Sequence, residues 1–266
     1  MTSEVDFRVL QADPSPFFLE AGPVGVLLLH GFSGTPREMW PLGTYLHERG
    51  LTVSAPLLPG HGNTLADMNR ANWRDWVAGV EAAYANLKQK TAQDRSTNLW
   101  FIAGFSLGSL LTLWMAEHHD DIAGIALYAP ALWIADWRLN LAPLLRSFVH
   151  SYPQSGESDL HNPEAEQWMG GFARYPVGAA AELWHLRRHV LHDLSRVQTP
   201  TLVVYSEGDR SIHPRSGPET VRRLSQQVPV ESMVLHDSGH AVVADREWET
   251  VAEATYRFVQ RYAEDL

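Results

Sequence analysis

Short apolar runs alternate along most of the chain with segments of helical periodicity. The runs include VGVLLL at 24–29 and the segments 98–104, 122–128 and 201–205. Each is long enough for a strand that is buried on both faces of a sheet, but too short to cross a bilayer. Repeated strand–helix alternation predicts an α/β fold with a mostly parallel central sheet and helices on both faces.

The first helix carries a start signal in the stretch TPRE at 35–38. Thr35 can cap the helix, Pro36 suits its first position, and Glu38 completes a capping box. The same patterns predict further helices over 72–89, 107–118, 218–227 and 245–262, and further strands over 51–58 and 230–235.

One long segment interrupts the alternation. About 70 residues between Pro130 and Thr201 show no strand pattern and are rich in Trp, Leu, His and Ala. Bare loops of this length are uncommon inside compact domains. We therefore predict a small helical cap over one edge of the sheet, formed by residues 131–190, on a core formed by residues 1–130 and 191–266.

Composition excludes several classes of function. The 266-residue chain has a formal net charge of −10 and no run of basic residues, which argues against nucleic-acid partners. It has no cysteine, so disulfides, thiol nucleophiles and cysteine metal sites are excluded. The start, MTSEVDFRVL, lacks the pattern of a signal peptide. We expect a soluble, cytoplasmic protein with no stable membrane insertion.

Residues 104–108 read GFSLG, between an apolar strand pattern and a helical pattern. The order strand, Gly-X-Ser-X-Gly, helix is that of a nucleophile elbow, a sharp turn that exposes the serine hydroxyl. Side chains two residues before and after the serine would collide with the neighbouring strand and helix, which explains the two glycines. A passive serine in a tight turn is the alternative interpretation of Ser106.

A serine nucleophile needs a base, and the base needs an orienting carboxylate. Both are expected after the last strands, because sites in open α/β sheets lie at the carboxyl ends of the strands. Asp209 follows the strand TLVVYS, and His240 follows the strand that precedes DSGH. Glu207 and His236 are the nearest competitors for the two roles.

Stabilisation of an oxyanion requires a pair of N–H donors. One is expected from Leu107, which follows the candidate nucleophile, and the other from Phe32 in the loop HGFSG. His30 is interpreted as a residue that braces this loop through hydrogen bonds, and Ser33 as a polar loop residue. His61, in PGHGNT, is interpreted in the same way as His30.

The stretches LLLHGFSGTP, PLLPGHG, GFSLGS, YSEGDRSIHP and DSGH together resemble the α/β-hydrolase superfamily. More narrowly, they resemble the bacterial carboxylesterase and monoacylglycerol lipase group, whose members have a small helical cap. The resemblance covers nearly the whole chain outside the cap. It implies a nucleophile, acid and base at Ser106, Asp209 and His240, and oxyanion donors at Phe32 and Leu107. It implies no cofactor and no metal.

The resemblance implies a serine hydrolase that cleaves a small-molecule ester, with short- to medium-chain acyl esters or monoacylglycerol favoured. An apolar pocket under the cap would be lined by Phe32, Trp133, Trp137 and Leu145. The rate should rise with pH through the ordinary histidine pKa of about 6.5, shifted by the carboxylate. Alternatives are an acyltransferase, a thioesterase, a C–C hydrolase or a cofactor-free haloperoxidase on the same triad, or a non-catalytic binding protein.

Overall fold

The structure is a computed structural model that describes residues 15–91, 98–153, 158–169 and 171–264. The predicted core range begins at residue 1 and ends at residue 266, so both of its ends lie outside the described residues. The N-terminal stretch that lacks a signal-peptide pattern lies outside them as well. The strands are β1 (Phe17–Leu19), β2 (Gly25–Leu29), β3 (Thr52–Ala55), β4 (Trp100–Phe105), β5 (Gly124–Tyr128), β6 (Ser151–Pro153), β7 (Arg174–Pro176), β8 (Thr201–Ser206) and β9 (Val230–Leu235).

Seven of these strands form one sheet in the order β1-β3-β2-β4-β5-β8-β9. Strand β1 runs antiparallel to β3, and every other neighbouring pair is parallel. The predicted mostly parallel sheet is therefore confirmed. The antiparallel edge strand β1 was not predicted, since three half-buried residues carry little periodicity.

The central strands are continuous apolar runs because helices cover both of their faces. Every residue of β2 and β5 is buried. The pairs Leu29–Gly104 and Phe105–Tyr128 bring the carboxyl ends of β2, β4 and β5 level. The loops that follow these strands consequently meet at one edge of the sheet, where the candidate site lies.

The described helices surround the sheet. Helix α4 has the predicted bounds, and α3 lies within two residues of its predicted bounds. No described helix is both long and apolar enough to span a bilayer. The helices are α1 (Trp40–His47), α2 (Leu65–Arg70), α3 (Trp73–Thr91), α4 (Leu107–His118), α5 (Ala142–Leu145), α6 (Pro163–Trp168), α7 (Val177–Asp193), α8 (Ser216–Leu224) and α9 (Trp248–Glu264).

The predicted capping box at the first helix is wrong. Residues Pro36–Met39 form a 3₁₀ turn that leads into α1, and the Thr35 side chain makes no capping hydrogen bond. Among the described residues the buried Thr35 hydroxyl has no partner. The Glu38 carboxyl accepts instead the N–H of Gly31 at 2.9 Å, a tertiary contact that replaces the local one.

The segment between β5 and β8 contains α5, α6, α7, a 3₁₀ turn at Trp137–Leu141 and one small antiparallel sheet. Strands β6 and β7 of that sheet were not predicted, because each has only three residues. Helix α7 continues past the predicted boundary at residue 190 and packs against α2, α3 and α4. The assignment of residues 131–190 to a separate cap stays a prediction.

Candidate active site

Ser106 occupies a strained turn between β4 and α4. Its backbone angles are φ 54° and ψ −108°, a conformation that L-residues rarely adopt. Its N–H donates to the carbonyl of Tyr128 at 2.9 Å, which attaches the turn to β5. The turn places the hydroxyl at the carboxyl edge of the sheet and leaves the Ser106 residue 8% exposed.

The glycines on either side of this turn leave room for close backbone contacts. A side chain at Gly104 would collide with the carbonyl of Gly108, and one at Gly108 would collide with the carbonyl of Leu29. The predicted reason for the two glycines is thus confirmed. Both positions must stay without a side chain for Ser106 to keep its place.

Three of the predicted side chains form one hydrogen-bonded chain. His240 Nδ1 lies 2.7 Å from Asp209 Oδ2, and His240 Nε2 lies 3.0 Å from Ser106 Oγ. A carboxylate can only accept, so the imidazole carries its proton on Nδ1 and donates it to Asp209. Nε2 is then the acceptor for the Ser106 hydroxyl, the arrangement that a general base requires.

Asp209 is held by the loop after β8. Its Oδ1 accepts the N–H groups of Ser211 and Ile212 at 2.8 and 2.9 Å, and its side chain is 6% exposed. Burial acts to raise the pKa of Asp209, but the charge and hydrogen bond of His240 and the two N–H donors outweigh it. The pKa therefore lies below its ordinary value, and the group stays ionised.

The pKa of His240 is raised above its ordinary value. Burial acts to lower it, and the Asp209 carboxylate outweighs burial, with smaller contributions from Asp159 and Glu38. The imidazole ring also lies against the ring of Phe105, with centroids 5.0 Å apart. A base that is more readily protonated than free histidine is suited to take a proton from a hydroxyl.

The competitors for the acid and base roles lie elsewhere. Glu207 and His236 contact each other, with the carboxylate 3.0 Å from Nδ1, and both side chains are about two-thirds exposed. Among the described residues, the side-chain partner of Ser106 is His240 rather than Glu207 or His236. The structure therefore brings Asp209 and His240, rather than these two, to the serine.

The loop HGFSG after β2 is fixed by hydrogen bonds at its start. His30 Nδ1 donates to the carbonyl of Gly31 at 3.0 Å, and His30 Nε2 accepts the N–H of Leu58 at 3.1 Å. His30 thus braces the loop, as predicted. Ser33 has φ 60°, and its neighbour Gly34 donates to the Gly31 carbonyl at 3.3 Å, which closes a tight turn.

The two predicted oxyanion donors have unused N–H groups. In the part of the chain that the structure describes, the N–H of Phe32 donates to no protein acceptor. Leu107 is the first residue of α4, so its N–H has no carbonyl one turn earlier in the helix. The helix dipole adds positive potential at this end, beside the Ser106 hydroxyl.

The residues predicted to line an apolar pocket differ in exposure. Phe32 and Trp133 are half-buried, whereas Trp137 is 67% and Leu145 41% exposed. The Trp133 ring lies under the guanidinium of Arg223, 5.1 Å from its centroid, so this ring packs toward α8. A role of these four residues in substrate binding stays a prediction.

One stretch of the segment between β5 and β8 reaches the candidate site. This bridging segment, Asp159–Asn162, contacts both loops that carry the acid and the base. Asp159 Oδ2 accepts the N–H of Arg210 at 2.9 Å, next to Asp209. The Asp159 carbonyl lies so close to Gly239 that a side chain there would collide with it.

Asp245 also holds the bridging segment against the loop that contains Gly239. This fully buried carboxylate accepts the N–H of Gly239 at 2.7 Å and that of His161 at 2.9 Å. It therefore joins the bridging segment to the loop that presents His240. Neither Asp159 nor Asp245 was predicted, because each acts through contacts between segments distant in sequence. Among the described residues, no cluster of His, Asp and Glu is arranged to hold a metal ion.

Known proteins resemble the chain over most of its length. The sequence profile of the family described as "Serine aminopeptidase, S33" matches residues 24–247. The thermostable monoacylglycerol lipase of Bacillus sp. (strain H-257) is 35% identical over 248 residues, which cover 93% of this chain and 95% of that protein. The carboxylesterase of Bacillus subtilis (strain 168) is 27% identical over 252 residues, covering 93% and 97%.

The fold has a counterpart among solved structures. A structure of the metagenome-derived lipolytic enzymes LipS and LipT superposes with a TM-score of 0.85 at 28% sequence identity. The match covers 96% of this chain and 100% of that chain. The similarity therefore extends over the sheet, its helices and the segment between β5 and β8.

Proposed function

This chain belongs to the serine aminopeptidase S33 family, and on that premise we propose that it hydrolyses carboxylic esters through an acyl-enzyme on Ser106. The observation that carries the proposal is the hydrogen-bonded chain from Ser106 through His240 to Asp209, at 3.0 and 2.7 Å. A relative at 35% identity is a monoacylglycerol lipase, and another at 27% is a carboxylesterase, which supports esters as the substrate class.

The proposed reaction has two halves. In the first, His240 Nε2 takes the Ser106 proton while the serine oxygen attacks the ester carbonyl. The imidazolium then gives this proton to the leaving alcohol, and an acyl-serine remains. In the second half, His240 takes a proton from water, the hydroxide attacks the acyl carbon, and the proton returns to Ser106 as the acid leaves. Asp209 keeps the imidazole oriented and stabilises its cation throughout.

The N–H groups of Phe32 and Leu107 stabilise the oxyanion in both halves. Each is unused by other protein groups in the described part of the chain; Phe32 lies in the loop after β2, and Leu107 follows Ser106 at the start of α4. Removing one such donor typically lowers kcat by about 10²–10³-fold. The proposed substrates are medium-chain acyl esters or monoacylglycerol, with Phe32, Trp133, Trp137 and Leu145 as the proposed acyl contacts.

Comparison of wild type with Ser106→Ala tests the proposal. The substrates are p-nitrophenyl acetate, butyrate and octanoate, a monoacylglycerol, and an aminoacyl p-nitroanilide as the peptidase control. We expect ester hydrolysis with a preference for chains longer than acetate, and a loss of about 10⁶-fold in Ser106→Ala. Cleavage of the anilide alone, or wild type that a fluorophosphonate probe does not label, would refute the proposal.

A further inference from the structure

The mechanism above leaves one buried acid beside the oxyanion loop without a role. Glu38 is 5% exposed, and its carboxyl lies beneath the loop HGFSG. It accepts the N–H of Gly31 at 2.9 Å, and a side chain at Gly34 would occupy the space of the carboxyl. Among the described residues, the groups that act on its charge are the Gly31 N–H and His240 rather than a lysine or arginine. An acid buried without a cation needs another reason to be present.

Glu38 and His30 hold Gly31 from both sides. Glu38 takes its N–H, and His30 Nδ1 donates to its carbonyl at 3.0 Å. The peptide that joins Gly31 to Phe32 is planar and trans, so its carbonyl and its N–H point in opposite directions. The His30 bond to the Gly31 carbonyl therefore fixes the peptide plane that carries the Phe32 N–H, the proposed oxyanion donor. The Glu38 bond to the Gly31 N–H fixes the preceding peptide plane, so the two bonds together restrain rotation at Gly31.

The loop needs such support because its own backbone is strained. Ser33 has φ 60°, a left-handed conformation that costs a non-glycine residue about 1–2 kcal/mol. The hydrogen bond from Gly34 to the Gly31 carbonyl is long, at 3.3 Å. The bond from Gly31 to Glu38 is shorter and fully buried, so it is the stronger restraint on this turn.

The electrostatic setting suits a neutral acceptor. Burial raises the pKa of Glu38 to about 7, against the lowering effects of the Gly31 N–H and of His240. A protonated carboxyl still offers its carbonyl oxygen to Gly31. At a pKa of about 7 both protonation states are populated near neutral pH, and either state can accept the N–H of Gly31.

We propose that Glu38 is a positioning residue of the oxyanion hole, which orients the Phe32 N–H by holding the N–H of Gly31. The proposal rests on the proposed ester hydrolysis at Ser106. Hydrogen bonding, rather than negative charge, is what the position requires. An amide of the same shape should therefore replace the acid, and an apolar side chain of the same size should not.

Glu38→Gln and Glu38→Met form the matched pair for the test, since both fill the space and only Gln keeps an acceptor. Exposed Glu207→Gln is the control for loss of a carboxylate. Ester hydrolysis is measured as kcat and KM, together with the inhibition constant of an alkyl trifluoromethyl ketone, which forms a tetrahedral oxyanion on a serine. Thermal unfolding and circular dichroism report whether each variant is folded.

We expect Glu38→Gln to keep kcat within about threefold of wild type, and Glu38→Met to lose about 10–100-fold in kcat, part of the effect of one donor. KM should change little in Glu38→Met, and the inhibition constant should rise in proportion to the loss of kcat. A folded Glu38→Met with the kcat of Glu38→Gln would overturn the proposal. Equal losses in both variants would overturn it too, because the charge would then be what matters.

If Glu38→Met does not fold, Glu38→Asp takes its place, because it keeps the carboxyl but withdraws it by one methylene from Gly31. The same loss of kcat with unchanged KM is expected, and wild-type kcat in a folded Glu38→Asp overturns the proposal.

The proposal of ester hydrolysis and the proposal for Glu38 are refuted by different results. Wild type that neither cleaves esters nor reacts with a fluorophosphonate refutes the function, whereas an active wild type with no difference between the variants refutes only the role of Glu38.

Discussion

Replacement of Asp209 by Asn isolates the orientation of the imidazole from the rest of the site. Oδ1 of Asp209 accepts the N–H groups of Ser211 and Ile212, while Oδ2 faces His240 Nδ1 at 2.7 Å. An asparagine keeps both backbone bonds only if its amide oxygen takes the Oδ1 position. Its NH₂ group then faces Nδ1 of His240, so the imidazole proton moves to Nε2. In that tautomer His240 cannot accept the proton of Ser106.

We expect kcat of Asp209→Asn to fall by about 10⁴-fold, the loss that the wrong tautomer produces in a serine protease. At 1.36 kcal/mol per tenfold change in rate, this is about 5 kcal/mol of transition-state stabilisation. In wild type, kcat/KM should rise with pH through a value above the ordinary histidine pKa, because only neutral His240 acts as the base. In the variant this pH should fall, since burial, which lowers the pKa of His240, is no longer opposed by a carboxylate.

The assay is hydrolysis of p-nitrophenyl butyrate from about pH 5 to about pH 9, the range around the histidine pKa. Circular dichroism and thermal unfolding show whether the variant is folded. Glu207→Gln removes an exposed carboxylate two residues away and should keep the kcat of wild type. A folded Asp209→Asn enzyme that keeps more than about a tenth of kcat, where a 10⁴-fold loss is expected, refutes the tautomer argument.

Three other predictions concern the turn at Ser106, stability at acid pH and the exposed Trp137. Gly108→Ala places a methyl group against the Leu29 carbonyl, so urea unfolding should show a loss of about 1–3 kcal/mol; unchanged stability would contradict the close contact. Burial lowers the pKa of His61 to about 4, so the unfolded chain binds a proton first and stability should fall by up to about 3 kcal/mol between pH 6.5 and 4. Urea titrations should show a smaller fall in His61→Phe, and an equal fall would exclude His61 as the source. Trp137 is 67% exposed, so Trp137→Ala should change the unfolding free energy by less than about 0.5 kcal/mol. The variant should also raise KM for an octanoyl ester more than for an acetyl ester, and equal changes would remove Trp137 from the acyl contacts.

The candidate site could be located from sequence where its residues directly follow buried strands. Ser106 follows β4, Asp209 follows β8 and His240 follows β9, and the carboxyl ends of parallel strands share one edge of a sheet. The fold class could be predicted from the alternation of apolar runs and helical segments alone, and the structure confirms it. The family match and the relatives likewise confirm the predicted resemblance to carboxylesterases and monoacylglycerol lipases of the α/β-hydrolase superfamily.

Features that depend on contacts between distant segments could not be predicted. The stretch TPRE has the local pattern of a capping box, but burial beneath the loop of Gly31 gives Glu38 a different partner. Aromatic content indicated that residues 131–190 have apolar surfaces, yet it carries no information on which way Trp137 faces. The three-residue strands β6 and β7 form because the chain pairs with itself there, and neither segment has a periodicity of its own.

The bridging segment, Asp159–Asn162, limits how this protein can be redesigned. The Asp159 carboxylate accepts the N–H of Arg210, next to the acid Asp209. The Asp159 carbonyl lies against Gly239, one residue before the base His240. An exchange of residues 131–190 for the corresponding stretch of a relative, made to alter substrate range, would also remove a support of the imidazole. Graft designs should therefore retain these four positions, or supply a carboxylate and a carbonyl that occupy the same two places.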